Sequence, residues 1–587
     1  MFFCETHFIA FVTYLDHENK MALLMLNLKK TASNQQKHSL LKQTSLLTSL
    51  LLFSMSYVEA NEKLNDDPSA IIIPKPTYSK SGMAAYQFMM DDTLLGNNYE
   101  KPVWNLHDTL NLPNWLTIGV DQRTRYESLS DSFKGSYGYK DGKTQKVIPS
   151  QGGDQMIAIQ NDIWLQVKFD NFRVATEFMD SRTLANDFGG KNTVPFPINN
   201  SSVDTLDFAQ AYFSWADQNF LNTGLGTEFK LGRQTMDLGS RRLVARPVYR
   251  NTVNNFTGLR ARVVDYDTWQ LNAFVTHPVI RYPNYNSITP DQNLQNHQQW
   301  DKEDEYTWFS GGILEGTQIY TDVNAELYLY HLDEGDNVKN PTRNRRYFTP
   351  GIRIYQKPSR GNFDFQAEGI GQFGTVKYAA AGTYANLTQT HEAWSSHVEA
   401  GYSFDLPWSP RLFFEYDYAS GSKNWTKHGS SDLDGRFDSL YGASDFDFGP
   451  TGIYGAFQRS NINSPGYKFN FSPRNDLEFS LQQRLVWLAS SDDCWGGNTC
   501  TAATTPALVD GNGSFIGDQL AFRGRYNFNS SLNFEAGWYH LFKGDFASTA
   551  KTTTSLGAYL KATGATIYAT TPGDDTDYFF VQSQLRF

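Results

Sequence analysis

The chain has 587 residues, of which 19% are charged and 15% aromatic, and a formal net charge of −11. The negative charge argues against general nucleic-acid binding, because phosphate recognition needs a basic surface. A mean hydropathy of −0.49, with no apolar run of 18 residues after the leader, excludes a bundle of membrane helices. High aromatic and low charged content instead fit a β-barrel, in which apolar and polar residues alternate along each strand.

Residues 1–60 are interpreted as a presequence that contains a signal peptide. Lysines precede an apolar stretch at 46–57, and small residues follow at the −3 and −1 positions of a cleavage site after Ala60, as signal peptidase favours. Met25 is a better candidate than Met1 for the true start, because residues 1–24 match no region of a signal peptide. The alternative, a transmembrane anchor, is disfavoured by the short apolar stretch.

Residues 61–113 are polar, contain prolines and show little periodicity, so we predict an N-terminal periplasmic segment. From residue 114 to residue 587 the sequence alternates with a period of two, which is the signature of β-strands. Strands are predicted near 115–128, 157–169, 172–182, 205–215, 227–236, 256–265, 268–277, 306–314, 319–331, 347–356, 363–374, 393–404, 411–419, 465–472, 475–488, 516–528, 531–542 and 577–587.

Connection lengths support this assignment independently. Connections after even-numbered strands are short, as at 170–171 and 529–530, whereas those after odd-numbered strands are long, as at 129–155 and 420–464. Short periplasmic turns and long extracellular loops are typical of outer-membrane barrels. The predicted fold class is therefore all-β: a transmembrane antiparallel β-barrel of about 18 strands, surrounded by lipid in a Gram-negative outer membrane.

Two cysteines and the last strand carry further signals. Cys494 and Cys500 flank a polar, Gly-rich loop, and in an oxidising exported setting this predicts a local disulfide. A metal site is not expected because no histidine accompanies the pair, and nothing in the sequence requires a cofactor. The terminal strand ends in Phe587 at an outward position, which resembles the signal read by the outer-membrane assembly machinery.

Alternation also assigns the lumen, since the polar face of each barrel strand points inward. Basic residues at inward positions are predicted to line the pore, at Arg123, Arg125, Arg173, Arg260, Arg262, Arg353, Arg484, Arg523, Arg525 and Arg586. Glu177 is inward on strand three, and acids cluster on strands eleven to fifteen at Asp364, Glu368, Glu399, Glu415, Asp417, Asp476 and Glu478. We expect an arginine wall on strands sixteen, eighteen, one and three opposite a carboxylate wall, with a transverse field that guides polar or charged solutes. The alternative is that buried arginines and acids simply pair with one another.

Two stretches resemble the alginate-export family of outer-membrane barrels. One runs from Lys230-Leu231-Gly232-Arg233-Gln234 through Leu238-Gly239-Ser240-Arg241-Arg242-Leu243-Val244-Ala245 to Tyr249-Arg250-Asn251-Thr252 and Phe256-Thr257-Gly258-Leu259-Arg260. The other is Gly435-Arg436-Phe437-Asp438-Ser439-Leu440-Tyr441, followed by Tyr454-Gly455 and Ser460-Asn461-Ile462. The resemblance extends over most of 115–587.

The resemblance implies an 18-stranded barrel with an arginine-rich constriction that passes an anionic polysaccharide. It adds Arg233 to the pore-lining set, although simple alternation places Arg233 outward beside Leu231. The lumenal carboxylates distinguish this chain from the uniformly positive pore that the resemblance implies. The expected solute is therefore an anionic or sugar-like molecule, with alginate as one example.

Two other functions remain open from the sequence. An outer-membrane adhesin or receptor would use the long loops, where acidic residues after Asp432 are suited to calcium but lack the spacing of a calcium loop. A barrel hydrolase would need a nucleophile beside a base, and the candidate bases His277, His331, His391 and His397 sit in no recognisable motif. We therefore expect a channel rather than an enzyme.

Overall fold

A computed structural model describes most of the chain after residue 101. The described residues are 102–131, 137–140, 147–149, 154–185, 201–265, 268–282, 298–336, 341–380, 387–423, 433–495, 507–509, 512–553, 566–569 and 575–587. The predicted signal peptide, and the predicted periplasmic segment up to residue 101, lie outside them. In this part of the chain, no helix is both long enough and apolar enough to cross a membrane.

Eighteen strands form the wall of the molecule, which we number β1 to β18. They are β1 Leu116–Ser130, β2 Asp154–Phe169, β3 Phe172–Leu184, β4 Asp204–Asp217, β5 Gly226–Gln234, β6 Phe256–Asp265, β7 Trp269–Ile280, β8 Thr307–Tyr320, β9 Val323–Glu334, β10 Arg346–Gln356, β11 Phe363–Lys377, β12 Thr388–Ser403, β13 Arg411–Ala419, β14 Ile462–Arg474, β15 Leu477–Trp487, β16 Phe515–Asn527, β17 Leu532–Lys543 and β18 Thr576–Arg586. Every predicted strand overlaps one of these.

The sheet closes on itself. Each strand pairs antiparallel with its neighbours in sequence, and β1 pairs with both β2 and β18. The closing register places Asp121 opposite Arg586 and Arg125 opposite Gln582. The main chain of Phe587 extends this pairing by exchanging two hydrogen bonds with Val120. Closure leaves no sheet edge unpaired, which is what a strand-built wall in lipid requires. The predicted fold class is confirmed.

Alternating burial gives the wall two faces. In β1 every second residue is buried, and in β10 buried Tyr347 and Arg353 alternate with exposed Phe348 and Ile352. The exposed positions are predominantly Leu, Val, Ile and aromatic side chains, which suits contact with lipid. The polar positions face inward, where they meet other protein atoms.

Short turns and long loops lie at opposite ends of the strands. The connection from β2 to β3 is two residues long, whereas β13 and β14 are separated by residues 420–461. On the short-turn side, helix α1 (Leu106–Thr109) precedes β1, and the nearby main-chain nitrogen of Val103 donates to Ser530 Oγ in the turn between β16 and β17. Helix α2 (Asp445–Phe448) lies in the long connection between β13 and β14, and helix α3 (Asp545–Thr549) follows β17.

Two of the long connections enter the barrel. We call residues 235–255, between β5 and β6, inner loop 1, and residues 435–461, between β13 and β14, inner loop 2. Both are largely buried, with Val244, Ala245 and Phe437 at 0% exposure. Their apolar side chains join inward aromatic residues of the wall in one hydrophobic cluster. The interior of the barrel is therefore filled by the chain itself.

Candidate functional site

Inner loop 1 crosses the lumen from one wall to the other. Near β2 and β3, the Arg246 guanidinium donates two hydrogen bonds of 2.7 Å to the Glu177 carboxylate, and Asn251 Nδ2 donates to the carbonyl of Ile159 at 3.1 Å. On the far side, Gly239 lies so close to Ile313 of β8 and Glu326 of β9 that a Cβ atom there would collide with both side chains. The loop is thus anchored to two separate parts of the wall.

Inner loop 2 is anchored to other strands of the wall. The main-chain nitrogen of Ile453 donates to Glu127 Oε2 at 2.9 Å, and the Tyr454 hydroxyl donates to Gln519 Oε1 at 2.7 Å. The Tyr347 hydroxyl on β10 donates to the Asp438 carboxylate at 2.6 Å. These contacts connect the loop to β1, β10 and β16.

The two inner loops also pair with each other. Their main chains form a parallel bridge between Val244 and Tyr441, with the Ala245 nitrogen donating to the Tyr441 carbonyl at 3.1 Å. Gly442 permits this approach, because a Cβ atom at that position would collide with the main chain of Arg242. The loops therefore form one unit rather than two independent insertions.

Arg242 is the centre of that unit. Its guanidinium makes a two-point contact with the Asp447 carboxylate, at 3.0 Å for each bond, and a third contact of 2.9 Å with Glu368 of β11. Arg459 of inner loop 2 contacts the same Asp447 carboxylate. Although burial would raise the pKa of Asp447, the charges of Arg242 and Arg459 lower it below its usual value. One arginine thus holds both inner loops to the wall.

The arginines of β1 and its neighbours face the lumen, but most of them have carboxylate partners on the same wall. Arg125 contacts Glu127 at 2.7 Å, and Arg586 contacts Asp121 at 3.2 Å. Arg523 and Arg525 both contact Glu535 of β17, Arg525 at 2.8 Å. This side of the lumen is a row of ion pairs.

Arg123 differs from these four arginines, because it serves inner loop 1. Its guanidinium donates to the main-chain carbonyls of Val248 and, at 2.9 Å, Arg250, and a longer contact of 3.4 Å reaches Asn251. Among the described residues no carboxylate lies within ion-pair distance of it. Arg123 is therefore an anchor of the loop as well as a charge in the wall.

The remaining predicted pore-lining residues lie in similar networks. Arg353 contacts Glu326 at 2.6 Å, and Arg484 contacts Glu415 at 3.0 Å and Asp417 at 2.9 Å. Arg260 and Arg262 donate to Asn272 and Gln270 on the adjacent strand, and Arg173 is buried on β3. Glu177, Glu368 and Glu415 are all buried and inward, and Glu177 and Glu368 bind arginines of inner loop 1.

Arg233 lies outside the lumen. Lys230 and Gln234 of β5 are buried, so Arg233 falls on the outer face, opposite Ala211 and Thr257. Its guanidinium contacts Asp207 at 3.2 Å and Glu303 at 2.9 Å near the extracellular end of the barrel. The position taken from the family resemblance is wrong, and strict alternation gives the correct face.

The expected separation into an arginine wall and an opposite carboxylate wall is not what the structure shows. Buried acidic and basic side chains occur in nearly equal numbers in the described chain, and most pair with neighbouring strands or an inner loop. Asp476, expected inward, lies in the turn before β15, where its carboxylate contacts Arg474. Sequence alternation identifies which side chains face inward, but it does not show which side chain each of them contacts.

One cavity of about 360 Å³ lies between the inner loops near the extracellular strand ends. Arg250 and Arg281 line it, together with Asp445 and uncharged residues of both loops. Burial, and then the neighbouring Arg281 guanidinium, lower the pKa of Arg250 well below its usual range. Their guanidinium groups also share one acceptor, Asn254 Oδ1. Two neighbouring guanidinium groups that line one cavity favour a bound anion.

The four candidate histidines lie on two different faces of the wall. His391 and His397 face inward and contact Asp434 at 3.6 Å and Asp417 at 2.8 Å, whereas His277 and His331 stack on outward aromatic rings. Cys494 is buried and disulfide-bonded. Its predicted partner, Cys500, lies outside the described residues.

Sequence reasoning missed the side chains that hold the inner loops. Arg242, Arg246 and Asp447 lie in connections rather than in strands, so periodicity assigns them no direction. Glu535 contacts both Arg523 and Arg525 and lies at an inward position of β17. The alternation rule that identified the two arginines would also have identified Glu535. One feature of the sequence could have indicated that these loops are buried. They are rich in arginines and apolar residues, whereas solvent-exposed loops are usually polar.

The sequence and the fold were compared with known proteins. A family model described as alginate export matches residues 114–559. The comparison with curated proteins gives no match. Similar solved structures include Acinetobacter baumannii OccAB1, with 12% identity, a TM-score of 0.43 and coverage of 80% of this chain and 96% of that chain. Pseudomonas aeruginosa OccK5 (OpdH) has 10% identity, a TM-score of 0.44 and coverage of 80% and 98%.

Proposed function

The chain belongs to the alginate export family, and we propose that this outer-membrane channel passes an anionic or polyhydroxylated solute through its lumen by diffusion. An acidic polysaccharide such as alginate falls within this class. The family and the fold are those of transport channels rather than enzymes, and their location is the Gram-negative outer membrane. The identity of the solute is part of the proposal.

The cationic cavity between the inner loops is the observation that carries the proposal. Arg250 and Arg281 place two guanidinium groups in one cavity, beside main-chain and amide groups of both loops. Guanidinium groups bind carboxylates in a planar two-point geometry, and the neighbouring amides suit sugar hydroxyls. Asp445 on the same cavity limits the net positive charge, which favours weak contacts that a moving solute can break.

The inner loops lie across the route that such a solute would take. Their anchors are mainly ion pairs and hydrogen bonds, such as Arg246 with Glu177 and Arg242 with Glu368. Polar anchors can exchange protein partners for water or for a charged solute, whereas the strand ladders of the wall must stay intact in lipid. We infer that passage requires displacement of the inner loops while the barrel keeps its shape.

Planar-bilayer recording tests the proposal on the full mature chain. Oligomers of an acidic sugar should block the current more strongly than neutral oligosaccharides of equal length. Arg250→Gln and Arg281→Gln should each weaken the block by the acidic sugar several-fold, with little change for the neutral one. Arg346→Gln is the matched control, because Arg346 is half exposed on the outer face of β10.

Two results would overturn the proposal. Equal block by acidic and neutral oligosaccharides would show that the lumen does not select anions. Unchanged block in both cavity variants, with normal barrel migration on gels, would show that the cavity is not on the solute path.

A further inference from the structure

Three aspartates converge at the extracellular end of the barrel, outside the cationic cavity. Asp204 and Asp207 belong to β4, and Asp301 precedes the short strand Lys302–Glu303, which pairs with β7. One carboxylate oxygen from each residue lies within 4.8 Å of the other two. All three residues are buried, with exposures of 1%, 1% and 6%. Three buried carboxylates this close repel one another unless a positive charge joins them.

Two oxygens of this cluster have no hydrogen-bond partner. They are Asp204 Oδ1 and Asp301 Oδ2, and both are buried. Asp301 Oδ1 accepts from the Tyr282 nitrogen at 2.7 Å, and the Asp207 carboxylate accepts from the main chains of Phe208 and Asp301. Buried carboxylate oxygens are rarely left unpaired, because removing them from water without a partner is unfavourable.

We propose that Asp204, Asp207 and Asp301 form a calcium-binding site on the extracellular side of the barrel. Calcium takes oxygen ligands at about 2.3–2.6 Å, so ligands on opposite sides of the ion stand up to roughly 5 Å apart. The observed spacing falls within that limit. Magnesium keeps several waters in a near-ideal octahedron at about 2.0–2.1 Å and is seldom held by protein carboxylates alone, so a cluster of three carboxylates favours calcium. Main-chain carbonyls or water would supply the remaining ligands.

The charges around the cluster suit a divalent cation. Arg233 contacts Asp207 at 3.2 Å and so neutralises one of the three carboxylates. Arg281 lies nearby and donates to Val253 and Asn254 of inner loop 1. Two carboxylates without direct arginine contacts remain, Asp204 and Asp301. A divalent ion matches their combined charge.

The site would tie together the segments from which inner loop 1 enters the lumen. Asn251 of that loop donates to the Ser202 carbonyl at 2.8 Å, two residues before Asp204. Arg233, at the end of β5, donates to the Asp301 carbonyl at 3.2 Å. Calcium between β4 and Asp301 would therefore fix the base of the loop, a role separate from solute binding in the cavity.

Terbium luminescence tests the site, because Tb³⁺ occupies oxygen-rich calcium sites and is excited by a nearby tryptophan. Trp300 is adjacent to Asp301, and its ring stacks on Phe208 with a centroid separation of 5.7 Å. The mature full-length protein in detergent should show sensitised Tb³⁺ emission that Ca²⁺ displaces at concentrations at least tenfold lower than Mg²⁺. Asp204→Asn and Asp301→Asn should weaken Ca²⁺ competition at least tenfold.

Glu305→Gln is the matched control, since Glu305 is an exposed acid in the same segment and should leave the titration unchanged. Both asparagine variants remove repulsion between carboxylates, so we expect normal heat-modifiable migration without calcium. Absence of Ca²⁺-displaceable emission in the unaltered protein would overturn the proposal. Emission that persists unchanged in both asparagine variants would also overturn it. These outcomes do not depend on which solute the channel passes.

Discussion

The barrel wall and the inner loops are built by different kinds of interaction. The wall is a closed ladder of main-chain hydrogen bonds between eighteen strands, and its inward side chains add ion pairs to a structure that is already complete. The inner loops have little regular structure, and side chains such as Arg242 and Arg246 hold them. We therefore expect the wall to keep its structure when a charge is changed, whereas the inner loops can detach from the wall.

This difference predicts that single charge changes affect the inner loops and spare the wall. The largest effect is expected for Arg242→Gln, which leaves the Asp447 and Glu368 carboxylates buried without their shared cation. Breaking a buried ion pair from one side costs about 3–5 kcal/mol. The variant should show larger and longer channel openings in bilayer recordings, with barrel migration on gels unchanged. Resting conductance equal to that of the unaltered protein would contradict the assigned role of Arg242.

Two arginines of the lumen, Arg123 and Arg523, should differ in their effect on channel opening. Arg123→Gln removes donors from two main-chain carbonyls of inner loop 1, and buried acceptors left unsatisfied cost about 1–3 kcal/mol. Arg523→Gln leaves Glu535 paired with Arg525. Open probability should therefore rise more for Arg123→Gln than for Arg523→Gln. The reverse order would show that the wall pairs, and not the loop anchors, control the channel.

Acid pH should release the loops in a graded manner. Burial opposes the charged forms of Asp438 and Asp447, but neighbouring arginines outweigh it and lower both pKa values below the ordinary 3.8. For a lowered carboxylate pKa, the stabilisation is complete above the ordinary value and is lost as pH falls below it. Burial raises the pKa of Asp445, which partly offsets this loss.

Conductance should thus rise as pH falls below about 4, by the linkage between protonation and stability. The strand ladders do not titrate, so the barrel should remain folded over this range by circular dichroism. If conductance has already reached its maximum at pH 6, then groups other than Asp438 and Asp447 control the opening of the channel.

The smallest effect is expected for a surface pair. Arg346 and Asp333 contact each other at 3.0 Å, but about half of each side chain is exposed. Exposed pairs of this kind contribute below about 1 kcal/mol. Arg346→Gln should leave both conductance and thermal stability unchanged within measurement error. A clear rise in conductance would mean that the wall itself takes part in opening.

The same contrast explains what the sequence could predict. The wall follows from a period of two, so strand positions, the count of eighteen and the inward face of Arg125 or Arg353 could be read from local pattern. The family resemblance marked both inner-loop segments without showing that they turn inward. Their direction depends on pairings such as Arg242 with Asp447, which are separated by 205 residues. Periodicity carries no information about such contacts.

The most direct test is the single-channel conductance of a barrel in which residues 237–253 of inner loop 1 are replaced by a short Gly-Ser turn. If the loop obstructs the lumen and the wall stands alone, the shortened protein should migrate as a folded barrel. It should also conduct several-fold more current at neutral pH than the full chain, in long openings. A folded barrel with the conductance of the full chain would contradict the central claim that the inner loops close the channel.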